Sequence, residues 1–337
     1  MTAAIKTPLA EIETLAAAAL RRAGARDEAA KSLAHAIMCA ERDGLASHGL
    51  AYLATYCEHL ACGKVIGSAI PKVMTPKPGQ ILVDAGNGFA HTAINAGFAV
   101  LIPLARAQGI AAVAVRNSYN CGVLGYHTER LASAGLVGLG FTNAPASIAP
   151  SGGKKPMFGT NPWSIAIPDG AGGAAAVIDQ SASVVAKSEV IKKSRKGEPI
   201  PLGWALDANG QPTTDAAAGL KGSMVPAGDY KGVGIAMLVE IMAACLTGAN
   251  LGLEASPFSG PAGGPPGTGQ YFIAIEPAAS SAGGFAERVT MLMTAFAVEA
   301  GVHVPGSGRK AARRRTIAEG VAVDPDTMKK VRELAAA

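Results

Sequence analysis

Aromatic residues make up only 5% of this 337-residue chain, and charged residues only 16%. A nucleic-acid surface needs a basic face, and a single-strand platform needs aromatics interleaved with it. The formal net charge is +5, and much of the excess sits in Arg309, Lys310, Arg313, Arg314 and Arg315, with no aromatic among them. Elsewhere acids and bases nearly balance, so nucleic-acid binding is not expected. A membrane-spanning run is missing too: the richest stretch, Val233 to Leu246, is interrupted by Glu240 and reads as a buried helix. The five cysteines, Cys39, Cys57, Cys62, Cys121 and Cys245, are odd in number and scattered. Cys57 and Cys62 have no matching Cys or His pair, so no zinc site is expected, and reduced thiols fit a cytoplasmic protein. Glu11 and Glu13 stand where a secretory leader would be basic and then apolar, so no leader is expected.

What is present is a well-buried composition, 49% hydrophobic, with 42 glycines and 21 prolines to turn the chain between elements. The length favours two domains. Residues 8–40 carry apolar residues at helical spacing, broken at Gly24, and predict two helices; residues 50–62 predict a third, ended by Gly63. Strands are expected at 81–84, 110–115, 136–143, 163–168, 175–179 and 271–276, and helices at 92–108, 123–134, 233–247, 285–300 and 324–334. Residues 192–230 read as polar loop, and 255–269, with Gly-Pro, Pro-Pro and Gly-Thr-Gly, as a flexible lid or contact surface. The expected fold class is therefore α/β (α+β). A mixed-sheet unit over 76–284 joins a helical unit built from 1–75 and 285–337.

No Rossmann fingerprint occurs: Gly86-Asn87-Gly88 lacks the third glycine and its strand–turn–helix context. Gly152-Gly153-Lys154-Lys155 is not a Walker loop. Five features carry chemistry instead. Ser47-His48-Gly49 places an imidazole in a glycine-bounded turn, where it can give or take a proton near neutral pH. Its bland alternative is a serine cap with the histidine in the first helical turn. His91 and His127 are the nearest rivals, and His127 falls in an expected helix. Asn117 to Gly122 follows a strand and precedes a helix, so it either presents amides to an anion or is an ordinary turn. Thr160-Asn161-Pro162 closes a basic, glycine-rich loop that either binds a ligand carboxylate or is fixed by Asn side-chain bonds. Asp179 ends an apolar strand, where it either orients a histidine or caps a helix. The basic cluster from Arg309 is either a phosphate site or a solvated helix start.

With these in order, the chain resembles the type-2 malate/L-lactate dehydrogenase family, also called sulfolactate-dehydrogenase-like, over nearly its whole length. The resemblance rests on Asp43-Gly44, Ser47-His48-Gly49, Asn117-Ser118 with Gly122, Pro150 with Gly152-Gly153 and Lys155-Pro156, and Phe158 to Pro162. It continues through Asp179, Trp204-Ala205, Pro212 to Asp215, Lys231-Gly232 and Pro305-Gly306. It implies an NAD(P)-dependent oxidoreductase, usually a homodimer, with a non-Rossmann nucleotide-binding unit. It also implies conversion between small 2-hydroxy and 2-oxo acids of malate, lactate or sulfolactate type, or reduction of a cyclic imino acid. By this resemblance His48 looks like the proton donor, with Ser47 and Asp179 as its relay. Tyr52, Thr160 and Asn161 look like substrate contacts. Asn120, Cys121, Gly122, Val123, Leu124, Pro162, Ser181, Lys231, Gly232, Gly306 and Arg309 look like cofactor contacts, with no metal. NADPH is expected over NADH, because Arg309, Lys310 and Arg313 can meet a ribose 2′-phosphate.

Three departures stand out. Many members carry an arginine where Tyr52 stands and a histidine where Asn120 stands, and Gly306-Ser307-Gly308 replaces a common Gly-Glu-Arg run. A tyrosine brings no charge to a substrate carboxylate. Tyr52 and Asn120 also motivate a different reading, a nucleotide-binding protein that has lost catalysis.

Overall fold

The computed structural model describes residues 4–299 and 301–336. It opens with β1 (Ile5–Thr7), α1 (Leu9–Arg22), α2 (Asp27–Arg42), short 3-10 turns at Ala46–His48 and Leu50–Tyr52, and α3 (Leu53–Ala61). Next come β2 (Lys72–Lys77), β3 (Gln80–Asp84), α4 (Ala90–Gln108), β4 (Ile110–Ser118), α5 (Leu124–Ser133), β5 (Val137–Thr142), β6 (Trp163–Pro168) and β7 (Ala174–Gln180). They are followed by α6 (Lys187–Lys196), β8 (Ala205–Leu206), β9 (Pro212–Thr213), α7 (Ala216–Lys221), β10 (Ser223–Met224) and α8 (Tyr230–Glu240), which runs into a π-helical turn at Ile241–Cys245. The chain finishes with β11 (Thr268–Ile275), α9 (Pro277–Ser280), α10 (Phe285–Val298), α11 (Ser307–Glu319), β12 (Val321–Val323) and α12 (Pro325–Ala336).

The main sheet has seven strands in the order β2-β3-β4-β11-β5-β6-β7. Only β3 and β4 run parallel, and every other neighbouring pair is antiparallel. Alternation along β11 divides its side chains between two faces. Phe272 and Ala274 join the core under α4 and α5, while Tyr271 and Ile273 pack with Phe141 and Val239 under α8. A separate apolar core joins α1, α2 and α3 to Val321, Val323, Met328 and Val331 from β12 and α12. In α1 the buried Ile12, Ala16, Ala19 and Leu20 recur at helical spacing, which is why that stretch is a helix with one apolar face. The mixed α/β sheet with a helical unit drawn from both chain ends is the architecture expected from the sequence.

Three elements depart from that expectation, each for a physical reason. β2 is exposed along its whole length, so it lacks alternation; lysines and Pro76 mark it as a sheet edge. Residues 192–230 are not simply loop: α6 begins at Lys187 with only Val190 buried, and β10, β8 and β9 form a small sheet. Periodicity cannot reveal a helix with one buried residue. Finally, α8 is buried on one side only. Ala236, Val239 and Glu240 are covered, while Met237 is 49% exposed and Ile241 45% exposed.

Candidate active site

His48 ends the 3-10 turn that follows α2. Its Nδ1 lies 3.0 Å from Ser47 Oγ. That contact fixes the ring and leaves Nε2 to exchange a proton. Burial holds the imidazole below its ordinary value; Asp179 opposes this and Arg309 adds to it. Beside it lies a cavity of about 10 Å³, walled in part by Tyr56, His91, Gly122, Val123 and Tyr126. Gly49 is required where it stands, because an added Cβ would sit 2.1 Å from Glu41 Oε1, and that oxygen accepts the Leu50 amide at 2.7 Å.

The end of β7 is where most of the expected segments meet. Asp179 Oδ2 accepts the Gly125 amide at 2.9 Å and Arg309 Nη2 at 2.6 Å. Gly306 sits at φ +85°, with Val177 N 3.2 Å from where its Cβ would be. The Ala182 amide donates to the Thr160 carbonyl at 2.8 Å. A Cβ on Gly232 would meet Ala227 N at 2.6 Å and Ala182 O at 3.0 Å, so this close approach of backbones needs glycine. Ser181 Oγ lies 3.1 Å from Ser183 Oγ, and Lys231, next to Gly232 in the chain, is exposed. Thr160, Ser181 and Asn120 are partly buried.

Several expected contacts are corrected. Asn161 is fully buried and wholly engaged: Nδ2 donates to Ala236 O at 2.9 Å and to Glu240 Oε2 at 2.6 Å, and Oδ1 accepts the Ala144 amide at 3.3 Å. It is a structural knot and has no atom left for substrate. Cys121 and Leu124 turn their side chains into the core, leaving only backbone to face a ligand, and burial pushes the Cys121 thiol up to about 12. The Pro162 carbonyl accepts the Thr142 amide at 3.2 Å and so serves the sheet. The basic cluster is neither solvated nor free for phosphate in its first turns. Arg309 is paired with Asp179, Lys310 Nζ donates to the Ala174 carbonyl at 2.6 Å, and Arg313 is held by Asp43 and Glu129. The direct partners of Asp179 are Gly125 and Arg309, and Ser47 is the residue bonded to His48.

Tyr52 lies between the helical unit and the 255–269 loop. Its ring packs edge-on to Tyr56, with ring centroids 4.7 Å apart, and Tyr119 and Asn120 lie near its hydroxyl. The two departures singled out in the sequence are thus neighbours. Asn120 Oδ1 also accepts the Gly122 amide at 2.7 Å, closing the turn before α5. Sequence reading missed the Glu240 hub, although a lone carboxylate in an apolar run was the available signal. It missed Gly125 entirely, because nothing local marks a glycine that faces a distant ion pair. Among the described residues no group of three or more His, Cys, Asp or Glu is placed to hold a metal ion, and no helix is long and apolar enough to cross a membrane.

The profile of the malate/L-lactate dehydrogenase family matches residues 7–332. The chain is 46% identical over 307 residues to a protein of Chromohalobacter salexigens named (2R)-3-sulfolactate dehydrogenase (NADP(+)), covering 91% of each. It is 36% identical over 331 residues to a Pseudomonas putida protein named Delta(1)-pyrroline-2-carboxylate/Delta(1)-piperideine-2-carboxylate reductase, covering 98% of this chain and 97% of that one. Among solved structures, a delta1-piperideine-2-carboxylate reductase from Pseudomonas syringae superposes with a TM-score of 0.93 at 33% identity, covering 98% of this chain and 99% of that one. The chain belongs to the malate/L-lactate dehydrogenase family of NAD(P)-dependent oxidoreductases.

Proposed function

We propose that the protein interconverts a small 2-hydroxy acid and its 2-oxo acid, with His48 as the proton donor in the reductive direction. The observation that carries this reading is the Ser47–His48 pair set beside the Asp179–Arg309 pair, next to the glycine turn before α5. The bound nicotinamide supplies the hydride. Reduction leaves negative charge on the substrate oxygen, and His48 discharges it by giving up its proton. Ser47 keeps the ring oriented through the transfer. Thr160, Asn120, Ser181, Gly122, Gly232 and the exposed Lys231 would hold the dinucleotide and substrate, mostly through backbone and neutral donors. NADPH is proposed over NADH, supported by the cofactor in the name of the 46% identical relative. The Arg309–Lys310–Arg313 group no longer argues for it, since its members are engaged within the fold.

Reduction of a cyclic imino acid is a second reading, favoured by the name of the structure with a TM-score of 0.93. Both reactions need the same proton from His48, delivered to oxygen in one and to nitrogen in the other. A panel of 2-oxo acids, including 3-sulfopyruvate, and of pyrroline- and piperideine-2-carboxylates, offered with NADPH and NADH and followed by nicotinamide absorbance, separates them. No turnover of any member with either cofactor would favour the nucleotide-binding protein that has lost catalysis.

A homodimer is part of the proposal. It is supported by apolar side chains left open along α8 and α10, with Met237 49% and Met291 63% exposed. A monomer mass by light scattering at micromolar concentration would remove it. A cytoplasmic location is proposed on the five free thiols.

A further inference from the structure

The Asp179–Arg309 pair is drawn into the fold, with side chains 12% and 18% exposed. The two come from distant parts of the chain, Asp179 from β7 and Arg309 from the first turn of α11. They meet over the start of α5, where the Gly125 amide donates to the same carboxylate oxygen that Arg309 holds. That meeting place exists only because residue 125 has no side chain. An added Cβ would lie 2.4 Å from Arg309 Nη1 and 2.7 Å from Asp179 Oδ2. Lys310, next along α11, pins the same helix to the carbonyl of Ala174 at the other end of β7. The guanidinium is thus anchored at its backbone as well as at its tip.

We infer that Arg309 is a positioning residue of the proton-transfer site, holding Asp179 against the start of α5 beside His48 rather than binding the cofactor. The inference rests on the reading of His48 as proton donor. Paired groups inside a protein act on a neighbour as a sum, so each partner limits the other's field. Asp179 favours a protonated His48, and Arg309 opposes it. The other groups around His48 are Ser47 on its own turn, Glu41 from α2, Tyr56 from α3, His91 from α4 and Tyr126 from α5. Burial keeps the two tyrosines and His91 uncharged near neutral pH. The Glu41 carboxyl is turned to the Leu50 amide, and burial raises it. Burial has the largest effect on His48, and Asp179 and Arg309 are the charge pair that tunes how readily it keeps its proton.

The signs follow. Without the guanidinium, Asp179 acts on His48 unopposed, and the imidazole holds its proton to higher pH. Without the Asp179 charge, Arg309 acts alone, and the proton leaves at lower pH. A lysine at 309 keeps the charge and loses only the forked geometry.

The test is a titration of the histidine side chains by nitrogen-15 NMR in the ligand-free protein, with the His48 resonance assigned from His48→Gln. Arg309→Met should raise the His48 midpoint by about one pH unit, within the usual effect of a nearby charge. Asp179→Asn should lower it, and Arg309→Lys should leave it near wild type. A merely structural Arg309 would cost stability without moving the two midpoints in opposite directions. Should Arg309→Met fail to fold, Asp179→Asn and Arg309→Lys still decide the matter. Unmoved midpoints, with the KM for NADPH raised in Arg309→Met, would return Arg309 to the cofactor and overturn the inference. Opposite shifts together with wild-type turnover in His48→Gln would instead refute His48 as the donor while leaving the electrostatic role of Arg309 intact.

Discussion

The Tyr52 hydroxyl donates to the Phe258 carbonyl at 2.7 Å, joining positions 206 residues apart. Lys64, itself fully buried, donates to the Gly260 carbonyl at 3.1 Å, and His59 Nε2 meets the same carbonyl at 3.0 Å. The glycine- and proline-rich loop that the sequence marks as flexible is therefore tethered by its carbonyls to α3 and its flanks. Tyr52 is one of those tethers, and its hydroxyl is already committed.

Replacing Tyr52 with phenylalanine removes one tether of about 1 kcal/mol. Limited proteolysis should then cleave within residues 255–267 several times faster, with a melting temperature close to wild type. A cleavage rate unchanged from wild type would show that Lys64 and His59 hold the loop alone.

His48→Ala should reduce turnover by about a hundredfold or more while leaving the dissociation constant for the cofactor nearly unchanged. Ser47→Ala should cost less, since it loosens the ring without removing the proton. Burial lowers the imidazole, so the charged form is scarce in the free protein above its ordinary value of 6.5. Reduction consumes that form and should slow as pH rises, and oxidation should quicken. Full turnover in His48→Ala on an accepted substrate would assign the proton to another group.

Arg313 binds Asp43 and Glu129 together, at 2.6 and 2.9 Å from Nη2, and so locks α11 to both α2 and α5. Removing it leaves Glu129, only 16% exposed, without its cation, and takes from the buried Asp43 one of two guanidinium partners, the other being Arg42 at 2.7 Å. Arg313→Leu should lower stability by about 3 kcal/mol in urea unfolding. The preference between NADPH and NADH, measured as a ratio of kcat/KM, should not change. A selective loss of NADPH use would show that Arg313 reads the 2′-phosphate after all.

Acid should destabilise the protein earlier than its carboxylates alone would dictate. Burial holds His91 at about 3, far below its ordinary 6.5, and depresses His127 in the same direction. Each is neutral in the fold and takes up a proton on unfolding once the pH falls below 6.5. Stability is therefore full above 6.5 and drains as pH drops from there toward 3, at about 1.4 kcal/mol per unit for each fully shifted histidine. Melting temperatures of His91→Leu should fall less steeply over that window than those of wild type. Parallel slopes would mean that His91 is protonated inside the fold.

The parts of this fold that periodicity can carry were legible: Ile12, Ala16 and Leu20 on one face of α1, and the apolar run that becomes β4. What escaped carries no local signature. Val190 is the lone buried residue of α6, so its helix looks polar throughout. The ion pair of Arg309 depends on a strand 130 residues away. At the site, His48 and Ser47 could be read because their contact is between neighbours in the chain. Asn161 was misread, because a side chain that could bind a ligand and one that knots Ala144, Ala236 and Glu240 together look alike in sequence.

The pairing of β1 with β12 has a consequence for synthesis. Ile5 meets Val323 and Thr7 meets Val321. The core that encloses α1 and α2 closes only with Met328 and Val331. A chain emerging from the ribosome can pair β2-β3-β4 and β5-β6-β7, but the two halves join only when β11 arrives between them, and the core of α1 and α2 stays open longer still, until Met328 and Val331 appear. Over that interval the N-terminal helices are the segment most in need of shelter from aggregation, and the last to become native.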